Sequence, residues 1–231
     1  MTEYVVDDQR YMNVVPRSLR DVAVLAEPLT IAEKALIQVE QVQQRLPWTG
    51  RHRAVVIGAG GPSASSALTA RGFDTSVYSR ERAPNAKAEV VTAIGGRYFS
   101  AEDTSLGRLA DEVGNIDLVY EATGASTIAF EMMKVLGTNG VFVFTGVPGR
   151  KAAIEVDTDV IMRNLVLKNQ VVFGTVNAGV EAFAAAVRDL GVFQSRWPGA
   201  LRALITGRYP IDAYRELLVG PAQGIKNVLA L

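Results

Sequence analysis

The sequence predicts an α/β fold, a doubly wound parallel sheet with helices on both faces, and three observations carry that prediction. Short apolar runs alternate with helical stretches along most of the 231 residues, the pattern of parallel strands joined by crossover helices. Runs such as Ala54-Val55-Val56-Ile57 and Val141-Phe142-Val143-Phe144 are continuously apolar, as strands buried on both faces require. Glycines follow these runs at Gly58, Gly124 and Gly146, and in such sheets the turns at the carboxyl ends of the strands form the ligand site.

The stretch from residue 53 to 82 organises the chain. It reads strand (54–57), glycine turn, short helix, strand (75–78), then a small polar and basic loop. Gly58, Gly60 and Gly61 allow a tight turn and close approach of a pyrophosphate to the backbone, with the N–H groups of the next helix facing the anion. Ser63 stands where the third glycine of a G-x-G-x-x-G pattern would fall. The alternative reading is a turn that only reverses the chain. The context of strand before and helix after favours a Rossmann-type dinucleotide site.

Upstream, residues 1–15 read as two short extended pieces around a polar turn. Residues 21–45 have helical periodicity, with Val24, Leu25, Leu29, Ala32, Leu36, Val39 and Val42 on one side. Pro28 requires either that this helix starts there or that it kinks. Downstream, helices are expected over 86–94, 106–113, 128–136, 159–164, 180–190 and 197–204, and a polar one over 213–218. Strands are expected at 98–99, 116–120, 140–144, 171–174 and 227–231.

Composition excludes several functions. Lys and Arg number 24, as do Asp and Glu, so charge gives no reason to expect a nucleic-acid or anionic-membrane partner. The chain has no cysteine, which removes disulfides, thiolate zinc sites and thiol nucleophiles. Its sole histidine, His52, is read as an exposed linker residue. Glu155, Asp157 and Asp159 are read as the solvated face of an extended segment rather than a metal cluster. The start of the chain lacks a signal-peptide pattern and its apolar runs are too short for a bilayer span, so a cytoplasmic location is expected.

Ser79, Arg80 and Arg82 follow the second strand. A ribose-binding Asp or Glu usually stands there, roughly 20 residues past the glycines, when NAD is the cofactor. A small polar residue followed by Arg suits a 2′-phosphate, so NADP is expected, with NAD possible. The competing reading is a solvated basic loop partly neutralised by Glu81.

The order and spacing of AEPLTIAEKA (26–35), VVIGAG (55–60), SRERAPNAKAEVV (79–91), EATGA (121–125), GVFVFTGVPG (140–149), NLVLKNQVVFGTVNA (164–178) and GIKNVL (224–229) resemble the cofactor-binding, C-terminal part of an archaeal-type glucose 1-dehydrogenase, within the zinc-dependent medium-chain alcohol dehydrogenase superfamily. The resemblance implies a dinucleotide-binding domain over 21–231, including its leading helix (21–48), and a remnant of an N-terminal catalytic domain over 1–20. It implies oxidation of a sugar hydroxyl by hydride transfer to NADP, with a zinc ion held mainly by a domain that precedes this region. Glu27 takes the place of that family's last zinc ligand and would serve only with the missing domain, because one carboxylate cannot hold a catalytic zinc. Thr123, Gly124 and Thr145 would flank the ribose and nicotinamide, and Asn177 would approach the substrate end. Plain turn chemistry is the alternative for these four. No catalytic residue is assigned, and a homo-oligomer is expected.

Between Gly60 and Arg71 the sequence is about two residues shorter than the family pattern, and Ser-rich SASS replaces large aliphatics. Two residues turn a helix through roughly 200°, so the helix must start later or bury a different face. The alternative function is a catalytically inactive nucleotide-binding or oligomerising module, the latter pairing at a sheet edge near Gly140–Gly146.

Overall fold

The computed structural model describes residues 4–58, 62–149, 153–220 and 224–230. A 3₁₀ stretch, Arg17–Leu25, leads directly into α1, Ala26–Gln43. Pro28 is the third residue of α1, where a missing N–H costs nothing because the first-turn donors have no intrahelical partners. The predicted single helix from residue 21 is therefore two segments, and the proline marks a start rather than a kink. Before it, the described residues contain one 3₁₀ turn, Gln9–Tyr11, and no strand. The two extended pieces expected there have no partner strand, and Tyr4, Val5, Val6 and Val14 are exposed.

The sheet follows as β1 (Arg53–Ile57), β2 (Asp74–Ser79), β3 (Arg97–Ser100), β4 (Leu118–Glu121), β5 (Val141–Phe144) and β6 (Val171–Gly174), all parallel in the order β3-β2-β1-β4-β5-β6. The helices between them are α2 (Pro62–Ala70), α3 (Ala86–Ala93), α4 (Leu106–Val113), α5 (Ser126–Val135) and α6 (Thr158–Leu167). The remainder comprises α7 (Val180–Arg196), α8 (Pro198–Ala203), β7 (Ile205–Pro210), α9 (Tyr214–Val219) and β8 (Lys226–Ala230), with β7 and β8 forming a separate parallel pair. The predicted end of α7 at residue 190 falls six residues short. Gly191 lies inside the helix, whose buried Leu190 and Phe193 carry the apolar face past it. Tertiary burial outweighs the roughly 1 kcal/mol helix cost of glycine.

Alternate residues of each strand enter two different cores. Ala54, Val56, Val77, Tyr120 and Val143 pack under α1, α2, α3 and α7. Val55, Ile57, Val119 and Phe142 pack under α4, α5 and α6. That division makes the sheet doubly wound. Ala64, Ser65, Ser66, Ala67 and Leu68 of α2 are all buried, so the Ser-rich stretch supplies small side chains where α1, α3 and α7 crowd the helix, and large aliphatics are not needed. Strand β5 lies between β4 and β6. The edge pairing expected near Gly140–Gly146 is therefore not available at that strand; the edge on that side of the sheet is β6.

His52 is half-buried and stacks with Trp48 and Phe73 at 5.4 and 5.6 Å between ring centroids, not the exposed linker residue expected. It precedes β1 and so lies at the amino end of the strands. Asp157 caps α6 by accepting from the Val160 N–H, and Asp159 stands in that helix's first turn; the expected extended segment becomes helical there because Asp157 satisfies a first-turn donor. No group of three or more His, Asp or Glu among the described residues could hold a metal ion, and no helix of the described residues is long and apolar enough to cross a membrane.

One buried ion cluster ties α1, α2 and α7 together. Arg71, just past α2, contacts Glu33 of α1 at 2.6 Å, Asp189 of α7 at 2.7 Å and Glu40 at 3.8 Å. Burial pushes the Glu33 carboxyl up to about 7 from 4.5, against the pull of the Arg71 guanidinium. A carboxyl raised in the folded state contributes stability that is fully present below its unfolded pKa and is lost as pH rises through the folded one. Glu33→Gln should therefore flatten the decline in unfolding free energy between about pH 5 and about pH 8 by on the order of 3 kcal/mol. Denaturant melts of both proteins across that window test this, and parallel pH profiles would contradict it.

Candidate nucleotide site

The turns after β1, β4 and β5 meet above the point where the strand order reverses, between β1 and β4, which is where this architecture places its ligands. Their closeness is measured by what a side chain would strike. A Cβ on Gly58, whose φ is +94°, would lie 2.1 Å from Thr123 Cγ2. One on Gly124, φ +65°, would lie 2.5 Å from the Val147 carbonyl oxygen, and one on Gly146 would lie 2.1 Å from the Gly124 nitrogen. The three glycines are thus packed against one another's loops, and only hydrogen fits.

Glu121, which sequence reasoning treated only as part of a motif, organises this junction. It is fully buried at the end of β4. One carboxylate oxygen accepts from the Thr123 N–H at 2.6 Å, the Thr123 hydroxyl at 2.5 Å and the Gly124 N–H at 2.9 Å. Its backbone carbonyl accepts from the N–H groups of Thr145 and Gly146 and from the Thr145 hydroxyl at 2.8 Å. One residue therefore fixes both loops. Its other carboxylate oxygen, Oε2, has no hydrogen-bond partner among the described residues and faces Gly146. The available signal was an acidic residue ending an otherwise apolar strand.

A cavity of about 440 Å³ opens on the β2 side, bounded by Gly58, Ser79, Arg80, Ala101, Thr123 and Ile128. Ser79 is buried and Arg80 exposed, and no carboxylate is paired with Arg80 among the described residues. Arg82 is placed differently: its Nε lies 3.2 Å from Glu102 and 3.0 Å from Asp103. Lys87 takes Glu81 at 3.0 Å. Of Arg80, Arg82 and Lys87, only Arg80 bounds the cavity, whose rim also includes Glu81.

A second cavity, about 460 Å³, lies over β5 and β6 and is bounded by Lys34, Gln38, Thr145, Gly146, Val147 and Thr175. Lys34 Nζ donates to the Val176 carbonyl at 2.7 Å, tying α1 to the turn that carries Asn177. Asn177 is exposed, with φ +62°, a left-handed conformation that asparagine tolerates better than most residues. Burial pushes the Tyr120 phenol up to about 12 beside Thr145, so it stays protonated near neutral pH. His52 is at the opposite end of the strands, so it supplies no base here.

Ser63 is half-buried in the first turn of α2. Gly60 and Gly61 lie outside the described residues. Glu27 is exposed in the first turn of α1 and belongs to no metal-holding group among the described residues, so these residues do not by themselves fit a zinc ion. They do fit a nucleotide: a glycine cradle at the strand ends, a guanidinium on the β2 side and a second cavity on the β5–β6 side.

The comparisons with known proteins agree with this geometry. Residues 20–231 match the family described as glucose dehydrogenase C-terminus. Glucose 1-dehydrogenase of Methanocella arvoryzae is 35% identical over 233 residues, covering 100% of this chain and 65% of its own length. That of Thermoproteus tenax is 35% identical over 230 residues, covering 98% and 64%. The solved Haloferax mediterranei glucose dehydrogenase in complex with NADP, Zn and gluconolactone superposes with a TM-score of 0.89 at 28% identity, over 100% of this chain and 65% of that one. L-idonate 5-dehydrogenase of Escherichia coli, at 20% identity and a TM-score of 0.70, shares the fold. The chain spans about 65% of the length of the relatives it matches. It belongs to the glucose dehydrogenase C-terminus family.

Proposed function

We propose that this chain is the NADP(H)-binding part of a glucose- or polyol-dehydrogenase-like oxidoreductase. The observation that carries the reading is the junction of Gly58, Thr123-Gly124 and Gly146 at the switch point, with Arg80, which has no carboxylate partner among the described residues, beside it. Arg80 binds the 2′-phosphate, as a guanidinium matched to phosphate oxygens. Glu121 holds the Thr123 and Thr145 loops in place so that the cofactor meets a preformed surface. Lys34 and Thr175 bound the cavity that would take the nicotinamide end, and Asn177, next to Val176, would approach the sugar.

Residues 1–20 are read as the remnant of the catalytic domain and residues 21–231 as the nucleotide domain. A zinc ion bound mainly by that other domain, with Glu27 contributing, would polarise the sugar hydroxyl so that hydride leaves carbon readily. Without it, this chain binds cofactor and transfers no hydride. A homo-oligomer formed through the open edge of β6 is supported by exposed Met162, Val166 and Leu167 on the preceding helix. A cytoplasmic location goes with this reading.

NADPH should raise the thermal midpoint of the chain, because a ligand at about 100 times its Kd stabilises the folded state by about 2.7 kcal/mol. NADH at the same concentration should raise it less. Identical melting curves with and without NADPH at millimolar concentration would refute the reading.

A further inference from the structure

We propose that Glu102 and Asp103, in the turn after β3, are specificity-determining residues: they hold Arg82 in ion pairs, withdraw it from a 2′-phosphate and so reduce the preference for NADPH over NADH. The inference rests on the nucleotide-binding reading above. The loop after β2 carries two arginines two residues apart, yet they have different surroundings. Arg80 bounds the cavity with no carboxylate partner among the described residues. Arg82 Nε lies within 3.2 Å of both Glu102 and Asp103.

The backbone fixes where those carboxylates sit. Strands β2 and β3 are in register with Ser79 opposite Ser100. The Ala101 N–H donates to the Ser79 carbonyl at 2.7 Å, and the Ser100 hydroxyl donates to the Arg80 carbonyl at 3.2 Å. The two turns are thus stitched together, and Ala101, the residue before Glu102, bounds the same cavity as Arg80. Arg82 lies beyond the residues that bound the cavity, held by two carboxylates that directly follow one of them, Ala101, so it must leave those carboxylates to reach a phosphate there.

All three side chains are about half exposed or more, so the ion pairs are weak and a phosphate competes for Arg82 at a moderate cost rather than being excluded. Removing the carboxylates frees the guanidinium to pair with the phosphate. NADH, which carries no 2′-phosphate, has nothing to gain.

The test is isothermal titration of the full chain with NADPH and NADH, comparing wild type with the double variant Glu102→Gln/Asp103→Asn at low ionic strength. NADPH binding should tighten by about 3- to 10-fold, with NADH unchanged within about 2-fold. The gain should shrink in high salt and vanish when Arg82→Gln is added. An unchanged ratio of the two affinities, equal tightening for both nucleotides, or a gain that survives Arg82→Gln overturns the inference while leaving nucleotide binding intact. Failure of the wild-type chain to bind either nucleotide overturns the underlying reading as well. Exposed substitutions of this kind change folding stability little, so the comparison does not hinge on stability.

Discussion

Gly146→Ala should destabilise the chain by about 3 kcal/mol and remove cofactor binding from whatever remains folded. The added Cβ would lie 2.1 Å from the Gly124 nitrogen, 2.7 Å from the Thr123 nitrogen and 2.7 Å from Glu121 Oε2. Two of those atoms are backbone, and the third belongs to a buried carboxylate already committed to three donors. Nothing there is the loose end of a flexible side chain, so relief requires the β4 and β5 loops to separate and the Glu121 hydrogen bonds to break. Gly149→Ala is the matched control, since a Cβ at that position meets nothing within 4 Å. Denaturant midpoints should fall for the first variant and stay put for the second, with similar m-values. Equal stability of the two variants would show that the loops do not depend on close packing at Gly146.

Arg80→Ala carries the other large effect. The guanidinium is exposed at the cavity rim, with no carboxylate partner among the described residues, while its neighbour Arg82 is taken up by Glu102 and Asp103. Hydrogen bonds to a charged group are worth about 1.5–3 kcal/mol, so NADPH affinity should drop by roughly 10- to 100-fold. NADH affinity should change by less than about 3-fold, because the deleted contact is to the 2′-phosphate alone. Arg82→Ala should cost NADPH binding much less. A comparable loss for both nucleotides in Arg80→Ala would mean that the side chain supports the loop rather than reads the phosphate.

The fold was largely legible in the sequence because buried parallel strands leave uninterrupted apolar runs with glycines after them. Strands 171–174 and helix 106–113 have the bounds that their patterns indicate. What the pattern hid has physical reasons. A 3₁₀ stretch and an α-helix share enough periodicity to merge, so Arg17–Leu25 was not separated from α1. Strand order is set by crossovers, so nothing local in Val141–Phe144 shows that β6 covers it. Turn residues such as Thr123, Gly124 and Thr145 were found from their places after the strands. Glu121 was passed over because a carboxylate next to an apolar run reads as its solvated end, whereas here backbone donors hold it inside. Arg82 was read as a phosphate ligand because sequence shows a basic loop and not the acidic turn beside it, which comes from β3, some 20 residues on.

The most direct measurement is calorimetric titration of the purified chain with NADPH and, separately, NADH. The account predicts saturable binding at one site per chain, tighter for NADPH, with the difference collapsing in Arg80→Ala. Absence of heat and of saturation for both nucleotides at millimolar concentration would contradict it, leaving the glycine junction as a packing feature of a domain that binds no cofactor.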